Sequence, residues 1–200
     1  MNRKALLFGL AALTLIGLIA GISLLLTSRP RFYGAVIEPA LPAPEIVLRD
    51  ANGKTFRLSG LHGKVVLLFF GYAFCPDVCP TTLADLRVAR AQLTKAEAEN
   101  VQVVFITVDP QRDTPQNIQE YVLRFDPTFI GLSGSEADLA PVWSAYGIFR
   151  ELATPSAEGY YLVSHTARVY LIDPQGNLFL SYSFGTPPND VASDLRQLLK

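Results

Sequence analysis

The sequence predicts an α/β domain carried behind an N-terminal membrane helix, and three observations predict it. Ala5 to Leu26 form a 22-residue run without a charge. As a helix such a run is roughly 33 Å long, enough for a hydrocarbon core of about 30 Å. Val65 to Phe70 and Val101 to Val108 are rich in β-branched and aromatic residues, the composition of strands covered on both faces. The segments between and after them repeat apolar residues at helical spacing, so strands and helices alternate as in a parallel sheet.

From the start of the chain, residues 1–4 are expected in the cytoplasm. Arg3, Lys4 and the α-amino group face Arg29 and Arg31 across the span, a modest positive-inside balance. Residues 5–27 form the anchor. The apolar run exceeds the ~7–15 residues of a signal-peptide core, no small-x-small cleavage site follows, and no nearby cysteine offers a lipid attachment point. With four residues ahead of the span, a bacterial inner membrane is the simplest setting, single-pass with the rest of the chain in the periplasm. Residues 28–44 hold Pro30, Pro39, Pro42 and Pro44 among small residues and read as a semi-extended tether.

The folded domain is expected over 45–200. Ile46 to Asp50 and Lys54 to Leu58 form a hairpin through the turn signal Asn52-Gly53. Val65 to Phe70 is the first central strand. Pro80 suits the first position of the next helix, which turns Leu83, Leu86 and Leu93 inward. After the strand Val101 to Val108, Thr114 caps a helix with Pro115 at its first position and Ile118, Tyr121, Val122 and Phe125 on its inner face. Ser135 caps another, with Leu139, Val142, Trp143 and Tyr146 inward and Gly147 as its stop. Ala167 to Ile172 and Leu178 to Phe184 then pair across Asp173-Pro174-Gln175-Gly176. Val191, Leu195, Leu198 and Leu199 mark a last helix. This order is that of a thioredoxin-like fold, with the helix after Ser135 inserted.

Residues 32–200 carry 13 Lys+Arg against 18 Asp+Glu, a net −5 that argues against nucleic acid as a partner. The two cysteines, Cys75 and Cys79, sit at the turn from the first central strand into its helix. Four residues apart across a first helical turn, they can share a metal or close a disulfide. The helix N-terminus favours the thiolate that either chemistry needs, while Asp77 opposes a second negative charge. A domain of this size does not need one disulfide to hold it together, so the pair reads as chemical.

In such a sheet, ligands gather at the carboxyl ends of parallel strands, where the loop Asp109 to Thr114 also lies. His62 stands at the opposite end and reads as exposed; His165, just before Ala167, can join the thiols. Two thiolates and an imidazole suit Cu(I). Zinc would take a fourth ligand, from Asp77 or water, so zinc and Cu(II) stay open on composition. Oxidising the thiols to a disulfide would open such a site, which links metal and redox functions.

Phe74 to Pro80, Val108 to Pro115, and Tyr161 to Thr166 followed by Tyr170 to Gly176 together resemble the Sco/SenC family. The resemblance covers most of residues 45–200 and includes the anchor. It implies a membrane-anchored copper protein that assists assembly of the Cu(A) centre of cytochrome c oxidase, with Cys75, Cys79 and His165 on the family's copper ligands. The implied partners are the Cu(A)-bearing oxidase subunit and other periplasmic copper chaperones or thiol reductants. One departure is Ser164, where the family usually has an acidic residue; a carboxylate there could orient the ligands or tune affinity. Asp109, Arg112 and Asp113 belong to the family signature, as loop-shaping ion pairs or as partner-docking groups. Met1 is the single methionine, so no Met-rich copper-collecting tail is present.

Two readings follow. A metallochaperone, not an enzyme, needs His165 as much as the thiols. A thiol-disulfide oxidoreductase that reduces the cysteines of the oxidase copper site needs the thiols alone. The Cys-x-x-x-Cys spacing and the lack of a proline directly before Ala167 argue against general thioredoxin activity. A peroxide-reducing thiol enzyme ranks last, because no arginine adjoins either cysteine.

Overall fold

The computed structural model describes residues 13–18, 31–154, 156–157 and 159–200. The chain divides into two units, Met1–Arg31 and Phe32–Lys200. In the first, residues 13–18 are helical and exposed. Among the described residues no helix is long and apolar enough to cross a membrane; the anchor expected over 5–27 lies outside them apart from that stretch.

The second unit is built on a six-stranded sheet in the order β1-β10-β9-β4-β5-β6. Its strands are β1 (Ala35–Pro42), β4 (Val65–Gly71), β5 (Val101–Thr107), β6 (Ile130–Leu132), β9 (Arg168–Ile172) and β10 (Asn177–Ser183). β4, β5 and β6 run parallel; β9 is antiparallel to β4, β10 to β9 and β1 to β10. Every residue of β4 is buried, as its unbroken apolar run requires of a central strand. Phe69 and Phe105 meet edge to face across β4 and β5, with ring centroids 5.7 Å apart.

The helices cover this sheet: α1 (Val78–Ala91), α2 (Lys95–Glu99), α3 (Pro115–Leu123), α4 (Glu136–Ala145) and α5 (Pro188–Leu198). Thr114 caps α3 by accepting from the Asn117 N–H, with Pro115 at the first position. Ser135 and Asp138 form a capping box on α4, and Gly147 leaves it at φ +61°. Leu83, Leu86, Ile118, Val122, Leu139, Trp143, Val191 and Leu195 are buried as their helical spacing predicts. The mixed α/β order, with Cys75 in the loop between β4 and α1 and Cys79 in the first turn of α1, is that of the thioredoxin-like fold.

Four features differ from the sequence expectation. The tether expected over 28–44 is in part an edge strand. β1 pairs Ala35 and Val36, then Leu41 and Pro42, with β10 and breaks register between them; a proline such as Pro39 is tolerated at an edge irregularity where no ladder bond is required. Second, α1 starts two residues before Pro80, which occupies its third position. Nothing is lost, because the first four N–H groups of a helix have no intrahelical acceptor. Third, β6 and α2 are short elements whose few residues carry no usable period. Fourth, two hairpins flank the sheet: the expected β2–β3 (Val47–Arg49 and Thr55–Arg57), and an unexpected one, β7–β8 (Arg150–Leu152 and Val163–His165). The last changes the site, since His165 ends a strand of its own.

A cysteine pair and a histidine at the strand ends

The end of β4 delivers the chain into a tight approach. A Cβ on Gly71 would lie 2.7 Å from Cys79 Sγ and 2.8 Å from the Phe105 ring, so only glycine lets the second cysteine pack there. Cys79 is fully buried; Cys75, in the loop before α1, is partly open. Both are free thiols.

The backbone N–H of Cys79 donates to Cys75 Sγ at 3.4 Å. α1 has no side-chain cap from Asp77, and the Cys75 sulfur occupies the place a capping oxygen would take. This has an electrostatic consequence. The hydrogen bond with the Cys79 thiol, and then His165 and the N–H groups of Cys79 and Asp77, hold the Cys75 thiol far below the ordinary range against the opposing effect of burial. The same thiol-thiol bond, with burial next, pushes Cys79 up. Of the pair, Cys75 is the one that ionises first.

His165 reaches the thiols from β8, its Nε2 3.7 Å from Cys79 Sγ. Its Nδ1 lies 3.1 Å from the Thr166 carbonyl. A carbonyl can only accept, so Nδ1 carries a proton, and Nε2 is the nitrogen turned toward the sulfur. The Tyr72 ring stands edge-on to the imidazole, centroids 5.8 Å apart, and its hydroxyl accepts from the Val163 N–H at 3.2 Å. His62 is exposed and lies over Gly176 in the Asp173–Gly176 turn, away from the thiols as expected.

Cys79 and His165 are spaced as two ligands of one ion would be. Metal-thiolate and metal-imidazole bonds of about 2.3 and 2.0 Å, at angles of about 110–120°, separate sulfur from nitrogen by roughly 3.5–3.8 Å, and the Cys79–His165 spacing is 3.7 Å. Among the described residues no group of three or more His, Cys, Asp or Glu side chains is gathered closely enough to hold a metal ion. Asp77, the carboxylate considered for zinc, is exposed and accepts from Thr81 Oγ1 at 3.4 Å.

The third loop, between β5 and α3, supports both halves. Asp113 and Asp109 are fully buried. Asp113 Oδ2 accepts from the Ala73 N–H at 3.1 Å and from Thr107 Oγ1 at 2.6 Å, and burial raises its carboxyl to about 6. Arg112 Nε donates to Asp109 Oδ2 at 2.5 Å. Sequence reasoning left these three residues between ion pairs and docking groups. The structure gives Asp109 and Arg112 an internal ion pair, and Asp113 a backbone bond just ahead of Cys75. The tie from Arg150 Nε to the Val108 carbonyl, 2.8 Å, went unforeseen because β7 did.

The SCO1/SenC family profile matches residues 38–200. Apo Sco1 of Thermus thermophilus is 38% identical and superposes at TM-score 0.74 over 86% of this chain and 99% of its own. ScoI of Bradyrhizobium japonicum, whose structure holds copper, is 38% identical at TM-score 0.70 over 79% and 99%. An SCO2-like protein of Rickettsia conorii is 34% identical over 150 residues, 74% of this chain and 73% of its own. At 22% identity and TM-score 0.63, BsSco, a member of the Sco family of cytochrome c oxidase assembly proteins, shares the fold over 83% and 98%.

Proposed function

This chain belongs to the SCO1/SenC family, and from that premise we propose that it is a copper metallochaperone holding one copper ion through Cys75, Cys79 and His165. The observation that carries the reading is the imidazole: its proton is held on Nδ1 by the Thr166 carbonyl, and Nε2 lies 3.7 Å from Cys79 Sγ. A dithiol catalyst needs no such nitrogen. Two thiolates with Cu(I) leave one negative charge, which the start of α1 helps offset.

Cys75, already favoured as thiolate, is the group that meets an arriving ion; Cys79 gives up its proton as the ion is taken in. Release follows the reverse order, by exchange of thiolate for a recipient's ligands. The recipient in this reading is the Cu(A)-bearing subunit of cytochrome c oxidase, with other periplasmic copper chaperones or thiol reductants upstream. An anchor over residues 5–27 holds the domain at the periplasmic face of a bacterial inner membrane.

A second reading, reduction of the recipient's cysteines, draws on the lowered Cys75 thiol beside a second thiol. The test that separates them uses the full chain in detergent with an apo Cu(A)-bearing fragment whose cysteines are reduced beforehand. Copper-loaded chain then loses its metal to the fragment, and one-electron oxidation of the loaded fragment with added ferricyanide generates the Cu(A) absorption. If the fragment loads from free copper as fast without the chain, and the chain matters only when the fragment starts as a disulfide, the carrier reading is wrong.

A further inference from the structure

The ligands of the proposed site come from two separate stretches. Tyr72, Phe74 and Cys75 lie on the loop leaving β4, while Tyr161 and His165 lead into and end β8. Arg112, from the loop between β5 and α3, stands between them. Its guanidinium carbon is 3.6 Å from the Tyr161 ring centroid, 5.0 Å from that of Phe74 and 5.7 Å from that of Tyr72.

The hydrogen bonds follow the same division. Nη1 donates to the Tyr161 carbonyl at 2.9 Å and Nε to Asp109 Oδ2. The Tyr161 hydroxyl closes the ring on Asp109 Oδ1 at 2.9 Å. Nη2 is buried and has no hydrogen-bond partner among the described residues. The bonds that the guanidinium makes all run to Asp109 and to Tyr161, the residue that leads into β8, so its geometry ties the His165 stretch to the loop after β5.

We propose that Arg112 is a positioning residue for His165: by holding Tyr161 against Asp109 and Phe74, it sets the separation of His165 Nε2 from the thiols and with it the metal affinity of the site. The inference rests on the reading of His165 as a ligand. A rival role for the same residue is electrostatic, a positive charge that stabilises the thiolates. The two roles part company in two ways. Charge acts whether or not His165 is present, and a lysine supplies it. Placement acts only through His165, and a lysine, a point charge without the planar fork, cannot bridge the Asp109 carboxylate and the Tyr161 carbonyl.

The experiment is a double-mutant cycle by anaerobic Cu(I) competition on the reduced full chain in detergent, with apo thermal unfolding and the dithiol-disulfide potential measured alongside. The variants are Arg112→Ala, Arg112→Lys, His165→Ala and Arg112→Ala/His165→Ala. Arg112→Ala is expected to weaken Cu(I) binding about 10- to 100-fold, the range for groups that orient a metal ligand. Arg112→Lys does not restore it. In the His165→Ala background the arginine change has no further effect, and the dithiol potential stays at its wild-type value.

Equal losses in both backgrounds, rescue by lysine, or wild-type affinity in Arg112→Ala each overturn the proposal while leaving His165 as a ligand. Wild-type affinity in His165→Ala overturns the ligand reading and this inference with it. Should Arg112→Ala not fold, Tyr161→Phe, which removes only the bond to Asp109, carries the cycle. A smaller loss that vanishes without His165 supports placement, and one that persists, or no loss at all, refutes it.

Discussion

Replacing Asp113 by asparagine tests how the loop beneath Cys75 is held. The carboxylate is fully buried; Oδ2 takes two hydrogen bonds, and Oδ1 has no partner among the described residues. Burial raises the folded-state value from 3.8 to about 6, with the Thr107 and Ala73 bonds opposing it. A group whose folded value is raised lends stability that is complete below the unfolded value and is lost as pH climbs through the folded one. Between pH 4 and 6 the native chain therefore holds a proton that the unfolded chain has released.

At about 1.4 kcal/mol per unit, the wild type loses on the order of 3 kcal/mol across that window and is level above it. Asparagine mimics the protonated carboxyl, since its oxygen can accept from both Ala73 and Thr107. Denaturant unfolding of both proteins from pH 4 to 8, compared as a difference, removes the opposite trend of lowered carboxylates such as Glu45. The expected outcome is that Asp113→Asn gains on the wild type as pH rises and is the more stable of the two at pH 7. A difference that is flat with pH would refute the reasoning, since Asp113 would then ionise at its ordinary value.

Two further substitutions probe the frame. Gly71→Ala puts a methyl 2.7 Å from Cys79 Sγ and 2.9 Å or less from two Phe105 ring carbons. Overpacking of that kind costs about 1–3 kcal/mol, and displacement of the thiol should lower Cu(I) affinity as well; unchanged unfolding and unchanged affinity together would contradict the packing described. Asp194, fully buried on α5, accepts from the Tyr33 and Gly34 N–H groups and the Tyr182 hydroxyl. Asp194→Ala strands these donors at about 1–3 kcal/mol for each that water cannot reach. Unfolding should shift accordingly with Cu(I) affinity at the wild-type value; a chain as stable as wild type would show that this latch holds nothing.

The parts of the fold that the sequence makes legible are those with a strong local signal. β4 and β5 announce themselves by apolar runs, α3 and α4 by Thr114-Pro115 and Ser135, and the β9–β10 turn by Asp173, which accepts from the Gln175 and Asn177 N–H groups. β1 was hidden because prolines and small residues also describe a tether; its strand character comes from β10, a partner far away in sequence. β7 and β8 were hidden because three residues each carry no period, and the hairpin is tied down through its own Arg150, which donates to the Val108 carbonyl, and by Arg112, which donates to the Tyr161 carbonyl ahead of β8. Of the proposed site, Cys75, Cys79 and His165 could be named as candidates from their types and spacing together with the family resemblance. Which sulfur caps α1, which imidazole nitrogen faces Cys79, and how Arg112 joins the two stretches depend on contacts between loops that lie apart in sequence.

The central claim is that His165 binds metal with the thiols, and the most direct measurement is anaerobic Cu(I) competition on the reduced full chain, its His165→Ala variant and its Cys75→Ala/Cys79→Ala variant, with zinc as a control metal. The account predicts one Cu(I) per wild-type chain, affinity lower by orders of magnitude in His165→Ala with the apo fold intact, and no specific binding without the cysteines. Wild-type affinity in His165→Ala, with loss only in the double cysteine variant, would contradict it and leave a dithiol whose redox potential is the property that matters.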